Sequence, residues 1–180
     1  MSDTACDHRE HGEKGSGTWR KAQRKEDYMR EDLAELWDAA IYKEVASEAA
    51  YVAALDSTDD PAARELLREL AEQERTHSDW LKALRGSDWL DEEWDPREIR
   101  DLKISEYLSG GDRLQGASLS GVLTYAMKRE EQAMQFYDRM AAVARNDQAK
   151  ALSEKLREAE RGHKAKLESF YEDVVYQDQG

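Results

Sequence analysis

The sequence is poor in everything that would build a covalent framework or cross a lipid bilayer. Cys6 is the single cysteine among 180 residues, which excludes an intrachain disulfide and any zinc or iron–sulfur site made from cysteines alone. Only two prolines occur, Pro61 and Pro96, and both fall where helices are expected to start or stop. No apolar run is long enough to span a membrane or to form a signal-peptide core, so the expected location is the cytoplasm. Positive charge is the minority sign. Lys and Arg number 27 against 40 Asp and Glu, a net charge of -13, which argues against nucleic acid and anionic membrane as partners.

What is present points to helices. Charged residues make up 37% and hydrophobic residues 39% of the chain, a balance that suits amphipathic helices with solvated outer faces. The length suffices for one domain with a sizeable core. Helical spacing of apolar residues predicts a first helix over 27–55, with Leu33, Leu36, Trp37, Ala40, Tyr51 and Leu55 inward. A second is predicted over 61–84, begun by Pro61 and stopped by Gly86; a third over 118–145; and a fourth over 147–171. The expected fold is all-α, a four-helix bundle of two helical hairpins. Residues 86–117 would form a long crossover between them, with Trp89 and Trp94 packing it down. Residues 1–26 read as a polar, mobile tail and 173–180 as a fraying one. Cys6, His8 and His11 in the first tail could pick up a stray metal, although solvated tail residues are the blander reading.

One stretch organises the chain because it occurs twice. Leu70-Ala71-Glu72-Gln73-Glu74-Arg75-Thr76-His77 returns as Leu156-Arg157-Glu158-Ala159-Glu160-Arg161-Gly162-His163, sharing L-x-E-x-E-R-x-H. The same offset carries Glu44 onto Glu130 and Tyr51 onto Tyr137, with no insertion or deletion between. On a helix, Glu74 and His77 lie about 60° apart around the axis, so carboxylate and imidazole can converge on one spot. Each upstream Glu precedes its Tyr by two turns and shares its face. Glu44 falls inside an apolar stripe, where a carboxylate is expensive unless paired or bound to a metal.

Four helices therefore present Glu44, Glu74, His77, Glu130, Glu160 and His163. Two single Glu residues plus two Glu-x-x-His pairs are the ligand set of di-iron and di-manganese carboxylate bundles. Oxygen donors suit iron or manganese in more than one oxidation state, and imidazole caps each metal. The bland alternative, a solvated acidic face, is common for one Glu-x-x-His in an acidic chain. It does not account for two copies with matching upstream Glu and Tyr.

The pattern Glu130-x-x-Ala133-x-x-Phe136-Tyr137 followed by Glu160-x-x-His163 resembles the rubrerythrin-like branch of the ferritin-like superfamily. Glu44-x-x-Ser47-x-x-Ala50-Tyr51 and Glu74-x-x-His77 resemble the same pattern in the first half, so the likeness covers about residues 28 to 172. The resemblance implies a ferritin-like fold and two iron ions per site, with manganese or a mixed pair as variants. It implies that Glu44 and Glu130 are terminal ligands, that Glu74 and Glu160 bridge, and that His77 and His163 bind one metal each. Tyr51 and Tyr137 would hydrogen-bond to ligating carboxylates. The chain departs from typical members in three places. It has no rubredoxin module with paired Cys-x-x-Cys motifs; Ala133 stands where an extra Glu is usual; and Glu48, one turn after Glu44, has Met134 as its repeat mate. Glu48 is a further ligand candidate, with a surface or supporting carboxylate as the alternative.

Other repeated residues read as structure. Glu72 and Glu158 point away from the ligand face, and Arg75 and Arg161 suit salt bridges. Met127, Met134 and Met140 suit core filling, and Trp80 packing rather than electron relay. Three functions follow. A redox enzyme would reduce hydrogen peroxide or dioxygen with electrons from a separate donor protein. A metal-handling protein would oxidise ferrous iron as a ferroxidase. A structural bundle would use the metal as a brace. The partners expected are a small inorganic substrate, no nucleic acid and no membrane, and the expected assembly is a homo-oligomer, in the first instance a dimer.

Overall fold

A computed structural model describes residues 16–85, 118–145 and 147–177. They form four α-helices and one 3-10 turn: α1 (Ser16–Ala54), the turn Leu55–Ser57, α2 (Pro61–Arg85), α3 (Leu119–Val143) and α4 (Asp147–Gln177). No strand occurs among the described residues. The chain is thus an all-α four-helix bundle. None of the described helices is long and apolar enough to cross a membrane.

Local chemistry sets the helix starts. Asp60 caps α2, its Oδ1 accepting the Ala63 N–H at 2.7 Å and its carbonyl accepting the Arg64 N–H at 3.0 Å. Pro61 occupies the first helical position, where its missing N–H costs nothing. The Arg64 guanidinium donates back to the Leu55 carbonyl and, at 2.9 Å, to the Thr58 carbonyl, tying the 3-10 turn to the helix that follows. Ser118 caps α3 by accepting the Gly121 N–H at 3.2 Å.

Two helix ends differ from the periodicity reading. α1 begins at Ser16 rather than near Asp27, and α4 runs to Gln177 rather than stopping near Tyr171. Residues 18–26 lack an apolar stripe, which made them read as tail, but Arg, Lys, Ala, Gln and Glu are strong helix formers and no proline interrupts them. Helix propensity extends a helix that packing has already nucleated. Cys6, His8, His11, Trp89, Trp94 and the expected crossover lie outside the described residues.

The helices pair as α1 with α2 and α3 with α4, and the hairpins meet mainly through α1 and α3. Two apolar plugs close the bundle. One joins Leu36 and Trp37 of α1, Leu81 of α2, Phe136 and Met140 of α3 and Leu156 of α4. The other joins Tyr51 and Ala54 of α1, Leu67 and Leu70 of α2, Leu123 of α3 and Leu167 of α4. This arrangement makes neighbours within each hairpin antiparallel. It also puts the end of α2 and the start of α3 at opposite ends of the bundle. Each fully buried leucine contributes about 1.5–3 kcal/mol relative to leaving it exposed. Between the plugs lies a waist of buried polar side chains.

Candidate metal centre

The waist is built from one turn of each helix. α1 supplies Glu44, α2 supplies Glu74 and His77, α3 supplies Glu130, and α4 supplies Glu160 and His163. The four carboxylates are at most 1% exposed. Charged groups are almost never buried so deeply unless they are paired or bind a cation.

The geometry is that of two overlapping nests. His77 Nδ1 faces Glu44 Oε2 at 3.1 Å, Glu160 Oε1 at 3.6 Å and Glu74 Oε2 at 3.7 Å. His163 Nδ1 faces Glu74 Oε1 at 2.8 Å, Glu160 Oε2 at 3.2 Å and Glu130 Oε2 at 3.8 Å. Glu44, Glu74, His77 and Glu160 can offer ligand atoms all within 4.8 Å of one another, and so can Glu74, Glu130, Glu160 and His163. Glu74 and Glu160 belong to both groups, each able to turn one oxygen to either side. The two imidazoles stack with centroids 5.6 Å apart and planes 16° from parallel.

A divalent cation fits this donor set. Glu74 Oε2, Glu130 Oε2 and Glu160 Oε1 are buried and have no hydrogen-bond partner. Buried carboxylate oxygens without donors are costly, and all three converge on the spaces in front of the histidine Nδ1 atoms. One N–H cannot satisfy three carboxylates, whereas a cation with mixed oxygen and nitrogen ligands can.

The tyrosines cross between the halves. Tyr51 O–H donates to Glu130 Oε1, and Tyr137 O–H donates to Glu44 Oε1. Each half of the repeat therefore steadies the lone carboxylate of the other. Each bond occupies one oxygen of its carboxylate and leaves the second oxygen facing the nest.

Buried charge is balanced here by protons. Burial and the nearby Glu74 charge raise Glu44 to about 8, against downward pulls from hydrogen bonds with His77 and Tyr137. Burial, with Glu44 and Glu74 adding, raises Glu160 well above the carboxylate range. Glu74 goes the other way. Burial favours its protonated form, but the hydrogen bond from His163 and the neighbouring His77 imidazole bring it down to about 2. Burial opposes charge on the imidazoles too, yet their carboxylate partners raise His77 to about 11 and His163 to about 12. Burial and the adjacent carboxylates push the Tyr51 and Tyr137 phenols well above their usual value, so both stay protonated donors. A divalent cation would take the place of the protons held on these groups.

The structure brings together all six candidate ligands and both tyrosines. It places Glu48 elsewhere, in an ion pair whose Oε1 lies 2.9 Å from both Nε and a terminal nitrogen of Arg75. Arg161 pairs with Glu158, and Glu72 and Glu158 are exposed. Trp80 lies under Lys155, whose Nζ is 4.7 Å from the ring centroid.

Two residues beside the nests escaped the sequence reading. Lys43 is buried at the α1–α3 contact, with Nζ 5.4 Å from the Phe136 ring centroid. Burial and the Arg129 charge lower it to about 8, and the site carboxylates counteract part of that shift. The signal was available, because the repeat offset carries Lys43 onto Arg129, a basic residue before each lone Glu. Gln73, the second, has no such counterpart; its Oε1 lies 2.8 Å from His163 Nε2, and its repeat mate is Ala159.

A family model described as Rubrerythrin matches residues 6–85 and 116–179, and so includes all four helices. Comparison with curated proteins and comparison with solved structures each returned no match.

Proposed function

Because the chain belongs to the rubrerythrin family, we propose that it is a di-iron carboxylate redox protein that reduces hydrogen peroxide or dioxygen with electrons from a separate donor protein. The observation that supports this most is the sharing of Glu74 and Glu160 between two four-residue donor groups. Two independent sites would not need common carboxylates; a coupled pair of metals does. Glu44 and His77 would hold one iron, Glu130 and His163 the other, and Glu74 and Glu160 both.

The iron pair would supply two electrons, so that peroxide and two protons yield two waters, and the donor protein would restore those electrons. The protein's own part is positional. Tyr51 and Tyr137 fix one oxygen each of Glu130 and Glu44, which aims the free oxygen at the metal position. Between the apolar plugs the four carboxylates are at most 1% exposed, so their charges act on one another strongly. These 180 residues hold no paired Cys-x-x-Cys motifs, so the electrons would reach the waist from a group outside them.

The test is anaerobic reconstitution with ferrous iron, elemental analysis, and then addition of peroxide while the absorbance of ferric iron is followed. The expected result is two irons per chain, rapid oxidation by peroxide, and repeated turnover once a reductant is supplied. Glu74→Ala and Glu160→Ala should each lose both irons. Binding of two irons without peroxide-driven oxidation would overturn the redox assignment. No specific iron would overturn the metal centre itself.

A further inference from the structure

The nests look symmetric in their ligands but not in what stands behind their histidines. Behind His163 runs a polar chain. His163 Nε2 lies 2.8 Å from Gln73 Oε1, Gln73 Nε2 donates to Glu69 Oε1 at 2.9 Å, and Lys166 Nζ donates to the same Glu69 oxygen at 2.6 Å. The chain fixes its own polarity. A carboxylate accepts only, so the Gln73 amide must turn its NH2 toward Glu69 and its oxygen toward His163. An oxygen at that place accepts only, so Nε2 carries a hydrogen, and Nδ1 is the ring nitrogen left for a metal.

The corresponding positions behind His77 hold different chemistry. The repeat offset carries Glu69, Gln73 and Lys166 onto Lys155, Ala159 and Trp80. There a lysine lies over an indole ring, and a methyl group stands where the amide would be. No side chain among the described residues accepts a hydrogen bond from His77 Nε2. His77 is also the more open of the two, with its side chain 19% exposed against 4% for His163.

We infer that Gln73 is a positioning residue that makes the two metal positions unequal: the position of Glu130 and His163 fills first and holds its metal, while that of Glu44 and His77 exchanges. An acceptor behind a ligating imidazole fixes the ring and raises its basicity, and losing one typically weakens metal binding about 10–100-fold. The inference rests on the two-metal reading above but not on the redox chemistry, so its test uses a metal that does not turn over.

Cobalt(II) titration followed by visible absorbance separates the positions. Glu44→Ala leaves the position containing His163, and Glu130→Ala leaves the one containing His77. The first variant should bind cobalt about 10–100-fold more tightly than the second. Adding Gln73→Leu, which keeps the volume and removes the acceptor, should erase that advantage in the Glu44→Ala background and change nothing in the Glu130→Ala background. Gln73→Glu, which restores an acceptor oxygen, should restore the tight position, a rescue that a merely space-filling role would not give. Equal affinities in the two single-position variants, or a Gln73→Leu effect of the same size in both, would overturn the inference while leaving the metal centre standing. Failure of the unaltered protein to bind cobalt specifically would overturn both.

Discussion

Replacing Tyr51 by phenylalanine should weaken metal binding at the position in the other half of the repeat and leave the position in its own half alone. The Tyr51 hydroxyl donates to Glu130 Oε1, not to Glu44. Tyr51 is 1% exposed, so no bulk water reaches the vacated oxygen, and phenylalanine keeps the ring in its apolar plug. A hydrogen bond to a charged group contributes about 1.5–3 kcal/mol. At about 1.4 kcal/mol per tenfold, that is roughly a ten- to hundredfold loss of affinity, the range usual for residues that orient metal ligands. The assay is cobalt(II) or zinc competition in the single-position backgrounds. With Glu44→Ala present, Tyr51→Phe should cost that factor; with Glu130→Ala present it should cost nothing. Tyr137→Phe, which removes the donor to Glu44 Oε1, should show the reverse pattern. If Tyr51→Phe weakened the position containing Glu44 and His77, or weakened both equally, the crossed arrangement would be refuted.

Metal-free and metal-loaded protein should respond to pH in opposite directions. Folding raises Glu44 from 4.5 to about 8 and raises Glu160 in the same direction, so the stability these groups contribute is complete below pH 4.5 and is lost as pH rises toward 8. His77 and His163, raised from 6.5, contribute stability complete below pH 6.5 and lost as pH rises through about 11 and 12. Thermal unfolding midpoints of the metal-free protein should therefore fall between pH 5 and 8, while those measured with zinc should rise as fewer protons compete for the ligands; parallel curves would contradict the proton-for-metal exchange. Glu48→Gln should leave metal stoichiometry unchanged, because Arg75 already holds that carboxylate at 2.9 Å outside both donor groups; loss of a metal in elemental analysis would show otherwise. Leu36→Ala should cost about 2–5 kcal/mol in urea unfolding, since Leu36 is 0% exposed in the larger apolar plug.

Much of the molecule was legible in the chain because its repeat is strict at the residues that carry chemistry. An apolar period of 3.6, a proline at Pro61 and a glycine at Gly86 placed four helices. Glu44 and Glu130 inside apolar stripes, with two Glu-x-x-His pairs, marked the candidate ligands, because burying those groups needs a compensating partner whatever the details of packing. The beginning of α1 was not legible, since residues without an apolar face give periodicity nothing to detect while their propensity still favours helix. Glu48 stands one turn from Glu44, close enough on its helix to be a candidate. Only the approach of α2 showed that Arg75 claims it.

The sequence by itself determined the four-helix pattern, the six candidate ligands and the matching of the two halves, because those follow from local spacing and from the cost of burying charge. The tertiary structure decided what spacing cannot carry: that each tyrosine serves the opposite half, that Glu74 and Glu160 stand common to both nests, that Lys43 is buried, and that Gln73 stands behind one histidine with no equivalent among the described residues behind the other. Each of these depends on contacts between helices far apart in the chain, and their register is set by how the two apolar plugs pack.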